Sequence, residues 1–333
     1  MTAEDPVILV GTPRSGSTLL SRLLNESPEL FVVNDFYFLQ TIDQLGAFDQ
    51  KLSPDLGARL AEELAERIRA RIEEPGSDSI EDGLNLTAEQ DRKLDTLARS
   101  ALSDGDRTWS GLLQAVMPKV GRWLGKSRWG YNTPQDHMHL DRIFAAFPKA
   151  RVVFLMRDPR DMLKSYQNVT ENDYHHPHRY HPLLQSLAWR SAVRRYFLER
   201  QNGRAVMLVR YEDVVADVNA TLAEIAAFAE ISMPPLDLDD FGNNSSFASK
   251  SEKQQGLHHS ETWICEKICG SEMKELGYAL SDSRIELGDV AYLSKLTGRA
   301  FWFYLSRFVG SADIRRRILH MMKNSLVLNR KTF

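Results

Sequence analysis

Residues 7–18 read VILVGTPRSGST, and this stretch decides the fold. Residues 7–10 are a short apolar run typical of a buried parallel strand, and leucines at helical spacing predict a helix over residues 16–24. A glycine-containing loop between a strand and a helix directs backbone N–H groups and the positive helix end at an anion. We therefore expect a phosphate-binding loop in which Arg14 is the cation. The loop is completed by Ser15, Gly16, Ser17 and Thr18. A glycine turn without a ligand is the alternative.

Two further strand–helix units follow along the chain. Residues 151–156 and 205–209 are apolar runs, and helical patterns come after each of them, over residues 158–167 and 218–228. Strands that alternate with helices predict an α/β fold with a parallel central sheet flanked by helices.

A mostly helical insertion, roughly residues 40–128, separates the first of these units from the second. Leucine and isoleucine recur at four-residue spacing from Leu56 to Ile72, which predicts an amphipathic helix. We interpret the insertion as a cap over the sheet within one domain, residues 1–280. Residues 281–333 are expected to form a helical extension rich in basic and aromatic side chains.

The phosphate-binding loop differs from that of ATPases and GTPases. A Walker A loop would have Lys where this chain has Ser17, and that Lys acts on the β- and γ-phosphates. The difference disfavours a P-loop kinase, although ATP binding would revive that interpretation.

A second anion site is predicted where the strand over residues 151–156 ends. Arg157 leaves the carboxyl end of that strand, the side on which open α/β sheets bind ligands, and Ser165 lies two helical turns further on. A guanidinium and a hydroxyl can hold a phosphate by charge-assisted hydrogen bonds. Asp158 is also typical of a helix N-cap with Pro159 just inside, so a capped helix with surface ion pairs is the alternative. Two anion sites on neighbouring strands suit a ligand with two separated phosphates.

With these motifs in order, the chain resembles the sulfotransferases that use 3′-phosphoadenosine 5′-phosphosulfate (PAPS). The matching segments are residues 12–18, Arg157 with Ser165, and residues 209–213. The sequence of the phosphate loop resembles that of the tyrosylprotein and carbohydrate enzymes and their bacterial relatives. The resemblance covers roughly residues 7–280 and implies a P-loop NTPase-like fold, PAPS as the sulfuryl donor and a hydroxyl-bearing acceptor.

The resemblance also implies roles for single residues. Arg14 would stabilise charge on the leaving phosphate, and Tyr211 would contact the adenine side of the nucleotide. Lys250 would reach the 3′-phosphate from a closing loop, with a solvated polar loop as the alternative. Counting without gaps from the phosphate loop, Asp35 falls where tyrosylprotein-type enzymes have a catalytic Glu, directly after a predicted strand over residues 30–33. It is our candidate general base, and a strand-end or N-cap acid is the alternative.

One position departs from the family pattern. Asn132 stands where the family often has a Lys that supports the transferring sulfuryl group, and an amide carries no charge. Either Arg14 or a nearby cation such as Lys126 compensates, or the enzyme is slow, or it has lost activity and the protein is a catalytically silent nucleotide-binding module. His137 and His139, placed on the following helix, are alternative bases.

The bulk composition limits the partners and the compartment. The net charge of −3 and the pI of about 6.3 disfavour a general nucleic-acid binder. Two cysteines at helical spacing are expected to be reduced, and without a predicted signal peptide we expect a cytoplasmic protein. We expect no metal. Basic and aromatic residues over 299–333 are typical of peripheral membrane contact, and packing or homo-oligomer formation is the alternative.

Overall fold

The computed structural model describes residues 5–72, 86–101, 107–172, 180–241, 256–310 and residue 315. The chain divides into two compact units. The first contains Met1–Gly11, Gly16–Leu155 and Gly203–Asn244, and the second contains Thr12–Ser15, Met156–Asn202 and Ser245–Phe333. The division at residue 280 stays a prediction.

A parallel sheet organises the first unit. Its strands are β1 Val7–Gly11, β2 Leu30–Val33, β3 Arg128–Asn132, β4 Arg151–Met156 and β5 Val206–Arg210. The strand order is β2-β3-β1-β4-β5, with Val7 of β1 opposite Gly130 of β3 and Arg151 of β4. All residues of β1, β2 and β3 are buried, as parallel strands with both faces covered require. The predicted α/β fold with a parallel sheet is confirmed.

The helices of the first unit, numbered along the whole chain, cover the sheet and build the insertion. They are α1 Ser17–Asn25, α2 Phe38–Gln44, α3 Pro54–Ile72, α4 Ala88–Ser100, α5 Trp109–Trp123, α6 Leu140–Ala146, α9 Tyr211–Ala216 and α10 Val218–Ala229. Short 3-10 helices span Pro134–His139 and Leu238–Phe241.

The insertion between β2 and β3 is helical, as its periodicity predicts. In α3, the apolar positions Leu60, Leu64 and Ile68 are fully buried. α4 begins with a capping box, in which Thr87 accepts from the N–H of Gln90 and the Gln90 side chain accepts from the N–H of Thr87. The start of α4 is therefore specified by residues close to it in the sequence.

One central strand, β3, was not predicted. Its sequence, RWGYN, has no continuous apolar run, and the alternation of Trp129 and Tyr131 with Arg128, Gly130 and Asn132 is only five residues long. Gly130 is required there, since a Cβ at this position would lie 2.2 Å from the carbonyl oxygen of Val7. α9 was also not predicted.

The second unit consists mainly of helices. They are α7 Pro159–Asn172, α8 Pro182–Gln201, α11 His259–Glu275 and α12 Asp289–Gly310. α8 and α11 pack together around the buried, unbridged thiols of Cys265 and Cys269, and the buried Glu272 pairs with Arg194. The reduced state predicted for the two cysteines is confirmed.

Among the described residues, none of the helices has both the length and the apolar character that crossing a membrane requires.

Candidate functional site

The loops after β2 and β3 lie at one edge of the sheet in the first unit, because adjacent parallel strands end at the same edge. Residues 34–37, which we call the acid segment, follow β2 and are joined to the residues after β3. The N–H of Phe36 donates to the carbonyl oxygen of Asn132 over 3.0 Å, and the N–H of Tyr37 donates to Oγ1 of Thr133 over 3.0 Å. The predicted strand over residues 30–33 is confirmed, and the acid segment is held at its end.

Asp35 has a strained backbone within the acid segment. Its φ is 48°, and that of Tyr37 is 46°, a left-handed region that costs a residue other than glycine ~1–3 kcal/mol. Arg67 of α3 holds the segment: Nη1 donates to the carbonyl oxygen of Phe36 over 2.8 Å, and Nη2 donates to Oγ1 of Thr41 over 3.0 Å. Asp35 thus lies at a strand end, where the sequence placed it. Its role as a base stays a prediction.

Asn132 is fully buried at the end of β3 and is engaged by a neighbouring amide. Its Nδ2 donates to Oδ1 of Asn34 over 2.6 Å, and Ser21 approaches the same oxygen at 3.4 Å. This packing is adapted to a neutral side chain, since a charge in this buried position would lose its hydration.

Lys126 does not compensate for the missing charge, and that expectation was wrong. Its Nζ donates to the carbonyl oxygen of Asn25 over 3.0 Å and also to that of Ser27. Both carbonyls follow the last turn of α1, roughly 12 Å along the helix from its first turn. Burial lowers the pKa of the Lys126 ammonium. Lys126 therefore closes the far end of α1.

Asp136 is a buried carboxyl group that the sequence analysis did not single out. It lies in the 3-10 helix after β3, and neither of its carboxyl oxygens has a hydrogen-bond partner among the described residues. Burial raises its pKa to about 8, while the nearby phenol of Tyr131 and the charge of Arg67 act in the opposite direction. The signal that would have found it is an acid just past a strand end, but that strand was not recognised.

His137 and His139 occupy the same 3-10 helix, before α6 rather than on it. His137 is buried, with Nδ1 2.9 Å from the carbonyl oxygen of Pro134, and the His139 ring packs 5.2 Å from the ring of Phe48. Both imidazoles thus have packing roles, which favours the alternative that they are structural.

The first turn of α1 is the predicted anion-binding helix end. Gly16 precedes it with a φ of 93°, and within the described residues no side chain caps this end. The buried ring of Tyr211 packs so closely here that a Cβ on Gly16 would lie 2.4 Å from its Cδ2. Ser17 is buried and Thr18 is exposed on the first turn. Tyr211 is thus brought against the loop's second glycine.

In the second unit, the loop Thr12–Ser15 reaches the helix that carries Ser165. Arg14, whose φ is 70°, donates from Nε to Oγ of Ser165 over 3.2 Å. The buried hydroxyl of Ser15 donates to the carbonyl oxygen of Thr12 over 2.7 Å, so it shapes the loop instead of pointing a donor outwards. Oγ1 of Thr12 is buried and has no hydrogen-bond partner among the described residues. The two predicted anion sites are therefore adjacent.

Arg157 and Arg160 differ in their contacts. Asp158 caps α7 by accepting the N–H of Arg160 over 2.9 Å, and the Arg160 guanidinium pairs with Asp158 and with Glu266. These pairs raise the pKa of Arg160. The backbone of Arg157 is fixed by Trp189, whose Nε1 donates to its carbonyl oxygen over 2.9 Å. The predicted N-cap is confirmed, and Arg160 is structural while Arg157 stays a candidate ligand.

Lys250, the last predicted ligand, lies outside the described residues. Its contact with a phosphate stays a prediction.

Solved structures resemble this chain, although no curated protein matches its sequence. The sulfotransferase domain from the curacin biosynthetic pathway is similar in structure, with 15% identity, a TM-score of 0.51, and coverage of 84% of this chain and 100% of that one. The sulfotransferase domain of the Synechococcus PCC 7002 olefin synthase has 18% identity, a TM-score of 0.47, and coverage of 89% and 96%.

The first of these likenesses supports the fold. At the sequence level, the model of the Sulfotransferase family matches residues 6–235, which is more than half of the chain. The chain therefore belongs to the sulfotransferase family.

Proposed function

We propose that this protein transfers a sulfuryl group from PAPS to a hydroxyl acceptor. The hydrogen bond between Arg14 and Ser165 carries the proposal. It joins the loop after β1 to the helix after β4. The guanidinium groups of the two predicted anion sites, Arg14 and Arg157, both belong to the second unit. A ligand with two phosphates on one ribose suits two such neighbouring sites, and PAPS has a 3′-phosphate and a 5′-phosphosulfate.

The donor groups present fit such a nucleotide. Arg14 and Arg157 are always charged, and Arg forks bind phosphate oxygens bidentately. The buried Oγ1 of Thr12 has no protein partner among the described residues and can donate to a phosphate. In the first unit, the glycine-started end of α1 offers backbone N–H groups, and the Tyr211 ring beside Gly16 offers an aromatic surface for a base.

PAPS supplies an activated sulfuryl group. In the reaction the acceptor oxygen forms a bond to sulfur, the bond from sulfur to the 5′-phosphate oxygen breaks, and 3′,5′-bisphosphoadenosine (PAP) leaves with the electron pair. Arg14 and the first turn of α1 would stabilise the charge that develops on the leaving phosphate. The acceptor proton would pass to a carboxylate, for which Asp35 is the candidate.

Asp35 suits the role of base better than Asp136. A base must be ionised before it accepts a proton, and Asp136, with a pKa of about 8, is mainly protonated at neutral pH. Asp136 is also fully buried, whereas Asp35 is partly exposed at the strand end. Asp35 is therefore the better candidate for the base.

The acceptor class follows only from the helical cap. α2 to α5 make a large insertion after the acid segment, which favours an acceptor larger than a simple phenol, such as a carbohydrate, a glycolipid, a peptide or a natural product.

A catalytically silent nucleotide-binding module is the second candidate. The observation that favours it is the neutral, fully buried Asn132, whose amide is already bonded to Asn34. Such a module would bind PAP but would transfer no sulfate.

A thermal-shift titration with PAP, ATP and NAD tests the proposal first. A ligand at a hundred times its Kd adds about 2.7 kcal/mol to the free energy of unfolding, so selective binding of PAP raises Tm by several degrees. Labelled PAPS with a panel of carbohydrate, peptide and lipid hydroxyls then tests transfer. The Arg14→Ala variant should lose the PAP shift, whereas Arg200→Ala, an exposed site on α8, should keep it. A larger shift with ATP than with PAP would overturn the proposal, and PAP binding without transfer to any acceptor would favour the silent module.

A further inference from the structure

The C-terminal helix α12 has an apolar face that is open to solvent. Trp302 is 71% exposed, Phe301 59%, Val290 57% and Leu305 37%, and Leu287, just before the helix, is 94% exposed. Single exposed apolar residues are ordinary, but a group of large ones on one helix marks a contact surface.

The four exposed helical residues share one side of α12. With residues placed at about 100° intervals, Val290, Phe301, Leu305 and Trp302 fall within a sector of about 120°. We call these four residues the outer face. Their alignment puts large apolar side chains on the solvent side of the helix, where an ordinary surface helix has polar residues.

The opposite side of α12 is attached to its own unit. Asp289 and Ala300 are buried, and they lie about 150° from the middle of the outer face. Oδ2 of Asp289 lies 2.8 Å from Nε2 of His259, and the ring of Tyr292 stacks on that of His258 at 4.3 Å. Because these contacts fix the rotation of the helix, the outer face cannot turn inwards without breaking them.

Positive charge borders the outer face. Lys295 and Arg299 are exposed and lie beside Trp302 on the helix surface, about 20° and 60° further round. From residue 294 to the last residue, 333, the sequence has nine Lys and Arg residues and a single acidic residue, Asp313. The whole chain nevertheless has a net charge of −3, so the basic character is concentrated at this end.

We infer that α12 lies on an anionic lipid surface, with the outer face in the boundary between headgroups and acyl chains. Trp and Phe are suited to that boundary, and each Lys or Arg near an anionic surface contributes about 1 kcal/mol, or roughly fivefold in binding. A second copy of this chain is a poorer occupant, because a symmetric contact would bring two strongly basic segments together.

Vesicle co-sedimentation of the full chain tests this inference. Phosphatidylcholine vesicles with about 30% phosphatidylserine are compared with pure phosphatidylcholine vesicles, at low salt and at high salt. Phe301→Ser/Trp302→Ser should reduce binding to the anionic vesicles by about tenfold or more. Lys295→Glu/Arg299→Glu should reduce it by about twentyfold or more and should weaken its salt dependence.

The control variant is Leu183→Ser/Val215→Ser, which removes two exposed apolar residues elsewhere and should bind vesicles like the wild type. Unchanged Tm values will show that each variant is folded. The inference is overturned if the wild type does not bind anionic vesicles, or if Phe301→Ser/Trp302→Ser binds them as well as the wild type. A third outcome also overturns it: the wild type is a dimer that binds no vesicles, and the Phe301→Ser/Trp302→Ser variant is a monomer. The outer face would then join two copies of the chain.

Discussion

The acid segment in the first unit and the loop Thr12–Ser15 in the second both follow a strand and both contain a residue with positive φ, but they are held differently. The acid segment is held by main-chain groups directly after Asp35: the N–H of Phe36 donates to Asn132, the N–H of Tyr37 donates to Thr133, and the carbonyl oxygen of Phe36 accepts from Arg67. In the loop, the Arg14 side chain donates to the hydroxyl of Ser165 over 3.2 Å.

The acid segment is thus preorganised, whereas a ligand can replace the contact that Arg14 makes. Three hydrogen bonds fix the backbone directly after Asp35, which suits a group that must be positioned accurately before reaction. The contact of Arg14 with a neutral hydroxyl is one that a phosphate oxygen can replace with a stronger, charge-assisted bond. We therefore expect substitutions in the acid segment to act on turnover and substitutions around Arg14 and Arg157 to act on nucleotide binding.

Asp35→Asn should have the largest effect. Loss of a general base is expected to lower kcat by about 10²–10⁴, while the Kd for PAP stays unchanged. Labelled-sulfate transfer and calorimetry measure the two quantities. Asp55→Asn, an exposed acid at the start of α3, is the control and should be fully active. Normal turnover in Asp35→Asn would place the base elsewhere and remove the main reason to treat the acid segment as catalytic.

Arg157→Ala tests the nucleotide side of the comparison. Removal of a charged hydrogen bond to phosphate should weaken PAP binding by about 10- to 100-fold, measured by calorimetry. Arg160→Ala is the matched variant three residues away. Because Arg160 is paired with Asp158 and Glu266, its loss should lower Tm and change the Kd for PAP much less. Equal losses of affinity in the two variants would contradict the separation of their roles.

Arg67→Met sharpens the claim that the acid segment is preorganised. It keeps much of the side-chain length but removes the hydrogen bonds to Phe36 and Thr41, so we expect kcat to fall by about tenfold with little change in KM for PAPS. Arg67→Lys, which retains one cationic donor, should recover part of the rate. A purely structural role for Arg67 would instead lower Tm and leave the kcat of the folded enzyme unchanged.

Asp136 is expected to affect stability and not turnover. Its pKa of about 8 in the folded protein exceeds the ordinary value near 4, so the folded state binds more protons between these values. The free energy of unfolding should therefore fall as pH rises from about 4 to 8. In urea unfolding, Asp136→Asn should show a weaker fall over this range than the wild type. Parallel pH profiles for the two proteins would show that Asp136 does not titrate as proposed.

The sequence predicted the parts of the site that depend on local signals. An apolar run, a glycine loop and a helix predict the anion-binding segment, because each local signal is contained within a few residues. Asp35 was identified only from the family resemblance, by its distance along the sequence from the phosphate loop. The strand β3 escaped detection because it lacks the continuous apolar run of β1 and its alternation of apolar and other residues is only five residues long. Without that strand, Asp136 had no recognisable position.

By itself, the sequence determined the parallel α/β class, the helical insertion, the anion-binding loop and the concentration of positive charge near the C-terminus. These properties depend on short-range patterns of apolar, glycine and charged residues, which act over one element. The three-dimensional contacts separate charged residues that have structural partners from those that stay candidate ligands. Arg157 and Arg160 are three residues apart, and Lys126 was named as a cation that could compensate for the neutral Asn132. Their roles diverge because Glu266, Asn25 and Ser27 are brought to Arg160 and Lys126 from distant parts of the chain, and a buried charge must have partners.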